Sequence, residues 1–553
     1  MKKPKAIKRR RGLRHNLRPA LIIVAIPLVV GAAVFSVFFS GGYDTALQSV
    51  GNERLVTENW QAADTAFLQR QPDYERKYAY YKLKEGQNLA TAAAYFSVSE
   101  AKLRQLNPGL IAVGTTIKVP PVEHMLAPTA GPNGKIATAV VTEDRGLLRI
   151  RQAYRSELAI TNLPELTAFL KRYNAIEQTG PTSYRINRAI SLEGNIRLDA
   201  TAATVTKLEL RSQPHDITCL CFDEASALLQ DLKITTYDPT TGKPDMTYAD
   251  ERAFVRAKNG RMDAVNVDFS YLGNDLPDAQ KASERVNQAQ KEGGTYGVSW
   301  RISDDMLGQE IATGWVEHSR FTYNHFGAYT YGASGIMWRN NYFGHNEVYG
   351  LDPHDDSNNA LIEDNLFAYN GKHGFIVSKR CNYNIIRNNT SVGNKLHGFM
   401  LHQDSDYNVI ENNVAYDNVD NYVIFASDYN TVRNNKSYNA RSSHVRINAQ
   451  SRNTFVTNNV LLGGRRGVFL YGGTENTYIA KNTVHVGREV LMTDGAKNAM
   501  FAKNTIDALA YKVVQDDDRL IFGPNTIDKL VTSETANIPH TAPLPKGFTA
   551  NER

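Results

Sequence analysis

The sequence predicts an all-β fold, a right-handed parallel β-helix, and three observations predict it. Asn341, Asn365, Asn389, Asn413, Asn435, Asn459, Asn482 and Asn504 each end a two-residue turn signal, mostly Asn-Asn or Lys-Asn, at separations of 24, 24, 24, 22, 24, 23 and 22. Apolar β-formers flank each pair, as in Asn384-Ile385-Ile386-Arg387-Asn388-Asn389 and Asn408-Val409-Ile410-Glu411-Asn412-Asn413. The Ala- and Leu-rich stripes that helical repeats would need are absent. A period of 22 to 24 fits one coil of a parallel β-helix, and asparagines at equivalent positions can hydrogen-bond along its axis. The asparagines are therefore scaffold. Less regular strand patterns from about residue 140 to 300 supply earlier coils and a cap, which puts this domain at 140–525 and a tail at 526–553.

A chain of 553 residues with 42% hydrophobic and 22% charged residues has room for two or three domains. Its net charge of +6 misleads, because Lys2, Lys3, Lys5, Lys8, Arg9, Arg10, Arg11, Arg14 and Arg18 all precede the first apolar run. The remainder is slightly acidic, so the basic balance gives no reason to expect nucleic acid as a partner. No charged residue occurs from Pro19 to Tyr43. As a helix, residues 19–43 would rise roughly 37 Å at about 1.5 Å per residue, enough to cross a hydrocarbon core of about 30 Å. The basic flank puts residues 1–18 in the cytoplasm and everything after Tyr43 outside. A cleaved signal peptide is the rival reading, but no clear A-x-A site follows the run, so an uncleaved membrane anchor is expected. Cys219, Cys221 and Cys381 read as small buried apolar residues, with the core rather than disulfides stabilising the fold.

Residues 44–75 read as a helical stalk. Tyr81-Lys82-Leu83-Lys84-Glu85-Gly86 then reads as a strand and turn. Asn88 can cap a helix carrying Leu89, Ala92, Ala93 and Phe96, and Ser99 a second carrying Leu103 and Leu106, stopped by Asn107-Pro108-Gly109. Gly114-Thr115-Thr116-Ile117-Lys118-Val119-Pro120 reads as a closing strand. This small α+β order over residues 76–122 resembles a LysM domain, which implies binding of N-acetylglucosamine polymers such as peptidoglycan. Gly86-Gln87-Asn88 stands where that family usually shows Gly-Asp-Thr, so a spacer that binds nothing is the alternative. Residues 123–139, with Pro128, Gly131, Pro132 and Gly134, read as a linker.

One part of the ladder is chemically unusual. Subtracting a coil of 24 aligns Tyr349-Gly350-Leu351-Asp352-Pro353-His354-Asp355, His373-Gly374-Phe375-Ile376-Val377-Ser378-Lys379 and His397-Gly398-Phe399-Met400-Leu401-His402-Gln403. Leu351 and Pro353 and their equivalents should point inward, which sends Asp352 and His354 outward together. His325, Tyr349, His373 and His397 form a column at the strand entrance, and Asp355, Lys379 and Gln403 one at the exit, with Arg380 adjacent. His373 and His397 could equally cap glycine turns. A surface strand has no structural need of Asp-Pro-His-Asp, and Pro353 removes a ladder donor.

This set suits chemistry on an acidic sugar polymer. Removing the C5 proton of a uronate places negative charge on its carboxylate, which a cation must neutralise. A neutral imidazole is a suitable base, and an adjacent carboxylate can orient it. A phenol or water on the opposite face can return the proton with inverted configuration. A base, a cation and a second proton carrier in one open groove suit epimerisation within a polymer.

On these residues the chain resembles the mannuronan (alginate) C5-epimerases, especially the periplasmic, single-module kind. Tyr349 to Asp355 matches their Tyr-Gly-x-Asp-Pro-His-Asp signature, and Phe254 to Arg261 and Gly294 to Ser299 are similar to family sequence. The likeness covers roughly residues 250–510. It implies a pectate-lyase-like solenoid and conversion of β-D-mannuronate to α-L-guluronate in the polymer. It implies His354 as the base, with Asp352 and Asp355 orienting or binding, and Tyr349 as proton carrier in secreted relatives or water in periplasmic ones. The family's neutralising arginine falls at Lys379, followed by Arg380, so the role goes to that pair. Substrate binding falls to Asp352, Asp355, His325, His373, His397, His402 and Gln403, the last standing where relatives often have another arginine. Secreted relatives use calcium, but no acidic nonapeptide repeat or Asp-rich loop occurs here, so no cofactor is expected. The alternatives are a polyuronate lyase on the same scaffold and a non-catalytic, wall-anchored glycan-binding protein. Each places the domain outside the membrane, in the periplasm or at a cell wall.

Overall fold

The computed structural model describes residues 56–549 except 130–133, 155–156, 215–216, 250–251, 276–295, 508–510, 514–518, 528–538, 540, 542, 546 and 547. The expected cytoplasmic tail (1–18), membrane span (19–43) and first part of the stalk lie outside the described residues. Among the described residues no helix is long and apolar enough to cross a membrane.

Parallel ladders build the solenoid. Among the described residues, one sheet of 15 strands runs through Leu147–Gln152, Ala189–Gly194, Cys219–Asp223, Phe254–Lys258 and Val298–Arg301 into the strands of the Asp-Pro-His-Asp region. A second sheet, with 27 strands among the described residues, carries two ladders side by side. Leu361–Glu363 pairs with Ile385–Arg387 in one, and Leu366–Ala368 with Thr390–Val392 in the other. The corner between those ladders is the asparagine turn. Its first residue is left-handed, with φ 52° at Asn340, 58° at Asp364, 56° at Asn388 and 58° at Lys481, a conformation Asn and Asp tolerate best. Its second residue is a buried asparagine whose amide donates to the next coil, as Asn341 Nδ2 does to Asn365 Oδ1 at 3.0 Å and Asn389 Nδ2 to Asn413 Oδ1 at 3.0 Å. The ladder runs one step beyond the expected set, to Asn525. Two further ladders occupy other corners, one through Asn346, Asn370, Asn394 and Asn418, another through Asn384 and Asn408. Inside, stacked Phe269, Phe321, Phe343 and Phe367 and the aliphatics of every coil form one continuous core.

Cys219 and Cys221 are buried as expected, but they are joined in a disulfide rather than left as thiols. Residues two apart on a strand share a face, which brings the sulfurs together. Cys381 is free and buried.

The segment before the linker has the expected order: strand Ala79–Lys82, helices Leu89–Phe96 and Glu100–Leu106, and strand Thr116–Val119 paired antiparallel to the first. Asn88 caps the first helix through Thr91, and Ser99 caps the second. Gln87 is buried and accepts hydrogen bonds from Tyr81 Oη and the Lys84 N–H, both at 2.9 Å, so its role is internal.

The stretches expected to be a stalk and a linker differ from that expectation: their described parts lie against the solenoid. Helix Trp60–Gln69 packs on the C-terminal coils, where Asp64 accepts from Tyr478 Oη at 2.7 Å and pairs with Lys503 at 2.6 Å. Farther on, the Lys77 N–H donates to Asn359 Oδ1 at 2.7 Å, and Lys84 pairs with Glu224 at 3.0 Å. Arg261 and Asp263 form a fully buried pair at 2.8 Å, and the guanidinium also donates to the carbonyls of Phe96 and His124. Arg197 and Asp199 repeat the device with Ala127 and Thr129. Residues 57–129 thus run the length of the solenoid, from its last coils to its first. Unpaired backbone and buried charge on the coils are satisfied by that strand of chain, which a loose linker could not do.

Candidate active site

Of the expected residues, Tyr349, Asp352, His354, His373 and His402 meet on the outer face of the 15-stranded sheet, with Lys379 and Arg380 at the turn beyond it. Leu351 and Pro353 are buried inward, so Asp352 and His354 share the outer face. Register places Asp352 beside Tyr329, and His354 between Tyr331 and Ser378. Ser378 pairs with His402, leaving the two histidines about 10 Å apart at about 4.8 Å per step. Tyr296, Phe326, Tyr329, Tyr349, Asp352, His354, His373, Ile376, Ser378, Met400 and His402 line a cavity of about 330 Å³ open to the groove.

His354 Nδ1 lies 2.6 Å from Asp355 Oδ2, and the other Asp355 oxygen accepts from Arg380 Nη2 at 2.9 Å. With Nδ1–H given to the carboxylate, Nε2 keeps its lone pair. Burial lowers the imidazole's pKa, and the charge of Asp355 opposes the shift while Lys379 and Arg380 add to it. The ring is a neutral base near neutral pH.

Asp352 is 2% exposed, and its Oδ1 has no hydrogen-bond partner among the described residues. Burial pushes its carboxyl up to about 8, against a hydrogen bond from Ser378. It is therefore a protonated acid at neutral pH, able to donate rather than to repel an anion. Burial likewise raises the phenols of Tyr329 and Tyr349, which stay protonated.

The expected cation pair divides. Arg380 is committed to Asp355 and to Asp356, which it holds through Nη2 at 2.8 Å and Nε at 3.1 Å. Lys379 is exposed and forms no ion pair among the described residues. Both sit in a turn of consecutive left-handed residues, φ 64° and 60°, repeated at Asp355–Asp356 and Gln403–Asp404. The Lys379 and Arg380 N–H groups donate to His402 and Gln403 carbonyls at 2.8 and 2.9 Å, offsetting a conformation that costs about 1–2 kcal/mol per residue.

The entrance column holds in part. Tyr349 stacks on His373 at 5.0 Å and His373 on His397 at 4.8 Å. His373 faces the cavity and takes the His397 backbone N–H on Nδ1 at 3.3 Å. His397 lies outside the cavity: its Nε2 accepts from Arg446 Nη2 at 3.1 Å, and burial together with Arg446 holds it down to about 4. His325 does not join the column. The step from Ala328 to Leu351 is 23 residues, not 24, so Phe326 meets Tyr349 edge-on at 5.3 Å while His325 stacks on Tyr248 at 6.1 Å. A slip of one residue exchanges the faces of a strand. His402 lines the cavity, its pKa lowered by burial, by His354 when that ring is protonated, and by the charge of Lys379. Gln403 sits at the following turn and does not line the cavity.

The sequence reading missed Tyr329, Tyr296 and Phe326. Tyr296 and Tyr329 stack at 3.5 Å over the Asp352 end of the cavity. Ala328-Tyr329-Thr330-Tyr331 carried the signal, visible only if the coil is counted as 23. Among the described residues no group of three or more His, Cys, Asp or Glu side chains is suited to hold a metal ion.

A family model described as a right-handed β-helix region matches residues 298–414 and 376–506. No curated protein sequence matches the chain. Among solved structures, the periplasmic alginate epimerase AlgG superposes with a TM-score of 0.52 at 16% identity, over 85% of this chain and 98% of that one. A point variant of AlgG gives 0.54 at 19% identity, over 68% and 85%. At such identities the likeness establishes the fold: this chain is built on the parallel β-helix shared with that structure.

Proposed function

We propose that the chain is a C5-epimerase of polymeric uronate, converting β-D-mannuronate to α-L-guluronate residues in alginate or a related uronan. The observation that carries this reading is the single cavity in which a neutral His354, oriented by Asp355, stands beside the buried acid Asp352 and two protonated phenols. His354 Nε2 takes the C5 proton as the C–H bond breaks, and the electron pair passes into the sugar carboxylate. Charge growing there meets the Asp352 O–H and the ammonium of Lys379, the cation left uncommitted when Arg380 binds Asp355 and Asp356. Tyr349, Tyr329 or water returns a proton to the opposite face of C5 as its O–H bond breaks; the donor then regains a proton from solvent, and the imidazolium releases its own to solvent. Arg380 positions His354 through Asp355 and does not meet the substrate.

The likeness in fold to a periplasmic alginate epimerase supports this reading and an extracytoplasmic location; the anchor at residues 19–43 rests on the apolar run and its basic flank in the sequence alone. The strand–helix–helix–strand order of residues 76–122 supports a LysM-like module; a GlcNAc polymer such as peptidoglycan as its ligand follows from that resemblance alone, with a spacer that binds nothing as the alternative. The test is proton NMR of polymannuronate incubated with the purified chain. Guluronate signals appearing without chain shortening are expected. Unsaturated ends absorbing in the ultraviolet would identify elimination instead, and an unchanged polymer would end the catalytic reading.

A further inference from the structure

The outward row containing Asp352 continues along the groove through Ile376, Met400 and Val423, which form an apolar cluster of their own. Polarity returns at Arg446, followed in the next coil by Phe469. Arg446 is held firmly: Nη1 lies 3.0 Å from Asp420, which is 1% exposed, and Nη2 donates to His397. The Ser443 N–H donates to the other Asp420 oxygen at 3.0 Å. This clamp fixes the plane of the guanidinium while leaving 20% of the side chain exposed on the groove side. In the adjacent row, Asn448 is 4% exposed; its Nδ2 donates to Tyr471 Oη at 2.7 Å, and its Oδ1 has no partner among the described residues. Half-buried Phe469 and Tyr471 lie ring against ring at 4.5 Å.

Balancing the buried Asp420 explains why a cation is needed there. It does not explain an aromatic pair and a buried amide oxygen left without a partner beside it on the outer row of the sheet. A planar cation, an unsatisfied acceptor and apolar ring faces together match a sugar acid: carboxylate, hydroxyl and the C–H face of a pyranose. We propose that Arg446, Asn448, Phe469 and Tyr471 form a distal binding position for another uronate of the polymer whose reacting residue occupies the cavity. This rests on the polyuronate reading of the cavity. Register puts Arg446 four ladder steps from Asp352, about 19 Å at about 4.8 Å per step, so only a chain of at least that length engages both.

Substrate length is therefore the discriminating variable. Oligomannuronates of graded length are titrated by calorimetry into the full chain carrying His354→Gln, which binds without turnover. Affinity should rise about tenfold to hundredfold once the oligomer spans roughly 19 Å, the worth of one charge-assisted contact. Adding Arg446→Met or Phe469→Ala should abolish that rise while short oligomers bind as before. Phe469→Ala leaves the Asp420 clamp in place, so its effect does not depend on tolerance of an unpaired carboxylate. Affinity that grows smoothly with length, or variants that weaken short and long oligomers alike, would overturn the distal position and leave the cavity reading intact. Failure of every oligouronate to bind a folded protein would overturn both.

Discussion

Replacing Asp352 by Asn preserves the side chain's shape and removes one ionisation, and its consequence for stability can be worked out. The unfolded carboxyl titrates at its ordinary 3.8, the native one at about 8. Between those values the native state holds a proton that the unfolded state has released. Stability from this group is therefore fully present below pH 3.8 and falls by about 1.4 kcal/mol per pH unit until the native pKa is passed. An amide in its place carries no such slope, so Asp352→Asn should become more favourable as pH rises. From pH 5.5 to 7.5 the stability difference, variant minus parent, should grow by about 3 kcal/mol. Urea denaturation of both proteins at both pH values measures it, every other titrating group cancelling in the difference. A difference that does not change with pH would mean that Asp352 is ionised in the folded protein, and its role as a hydrogen-bond donor would be wrong. Turnover offers a second readout. Asn still donates, so Asp352→Asn should retain more activity than Asp352→Ala, for which a loss of about 10²–10³ is expected.

His354→Gln should lower kcat by about 10²–10⁴ with little change in polymer affinity, and the acid limb of kcat/KM should fall below the ordinary histidine value of 6.5 because burial lowers this imidazole; a limb above 6.5 would contradict the assignment. Lys379→Ala should reduce kcat more than Arg380→Ala, because Arg380 acts only through Asp355; steady-state kinetics giving the reverse order would exchange their roles. Asn389→Ala strands the Asn365 backbone N–H and takes one hydrogen bond each from the Asn365 amide, the Ile362 carbonyl and Asn413 Oδ1, and should cost about 3 kcal/mol in urea denaturation.

The solenoid was legible because its constraint is periodic. A corner that needs a left-handed residue followed by a buried hydrogen-bonding amide leaves Asn-Asn, Asp-Asn or Lys-Asn at coil after coil from Asn341 to Asn504, whatever else varies. The outward placement of Asp352 and His354 followed from alternation alone. What failed was the assumption of a constant coil. With a step of 23 between Ala328 and Leu351, a count of 24 puts His325 where Phe326 stands and hides Tyr329. The different commitments of Lys379 and Arg380 were also invisible, since they depend on Asp356, whose partner lies one coil away in space. The docking of residues 57–129 left little trace, because contacts such as Asp64 with Lys503 join residues too distant in the chain for any local pattern.

Stacked-coil proteins ordinarily behave as one-dimensional lattices in which each unit feels only its neighbours, so the ends peel first. Here a single length of chain touches Phe522 at one extremity through Thr57 and Asp199 at the other through Thr129. Peeling the final coils must therefore release the same segment that seals the opening ones, and melting should proceed in one concerted event. The groove between them gains a stiffness that no single coil could provide.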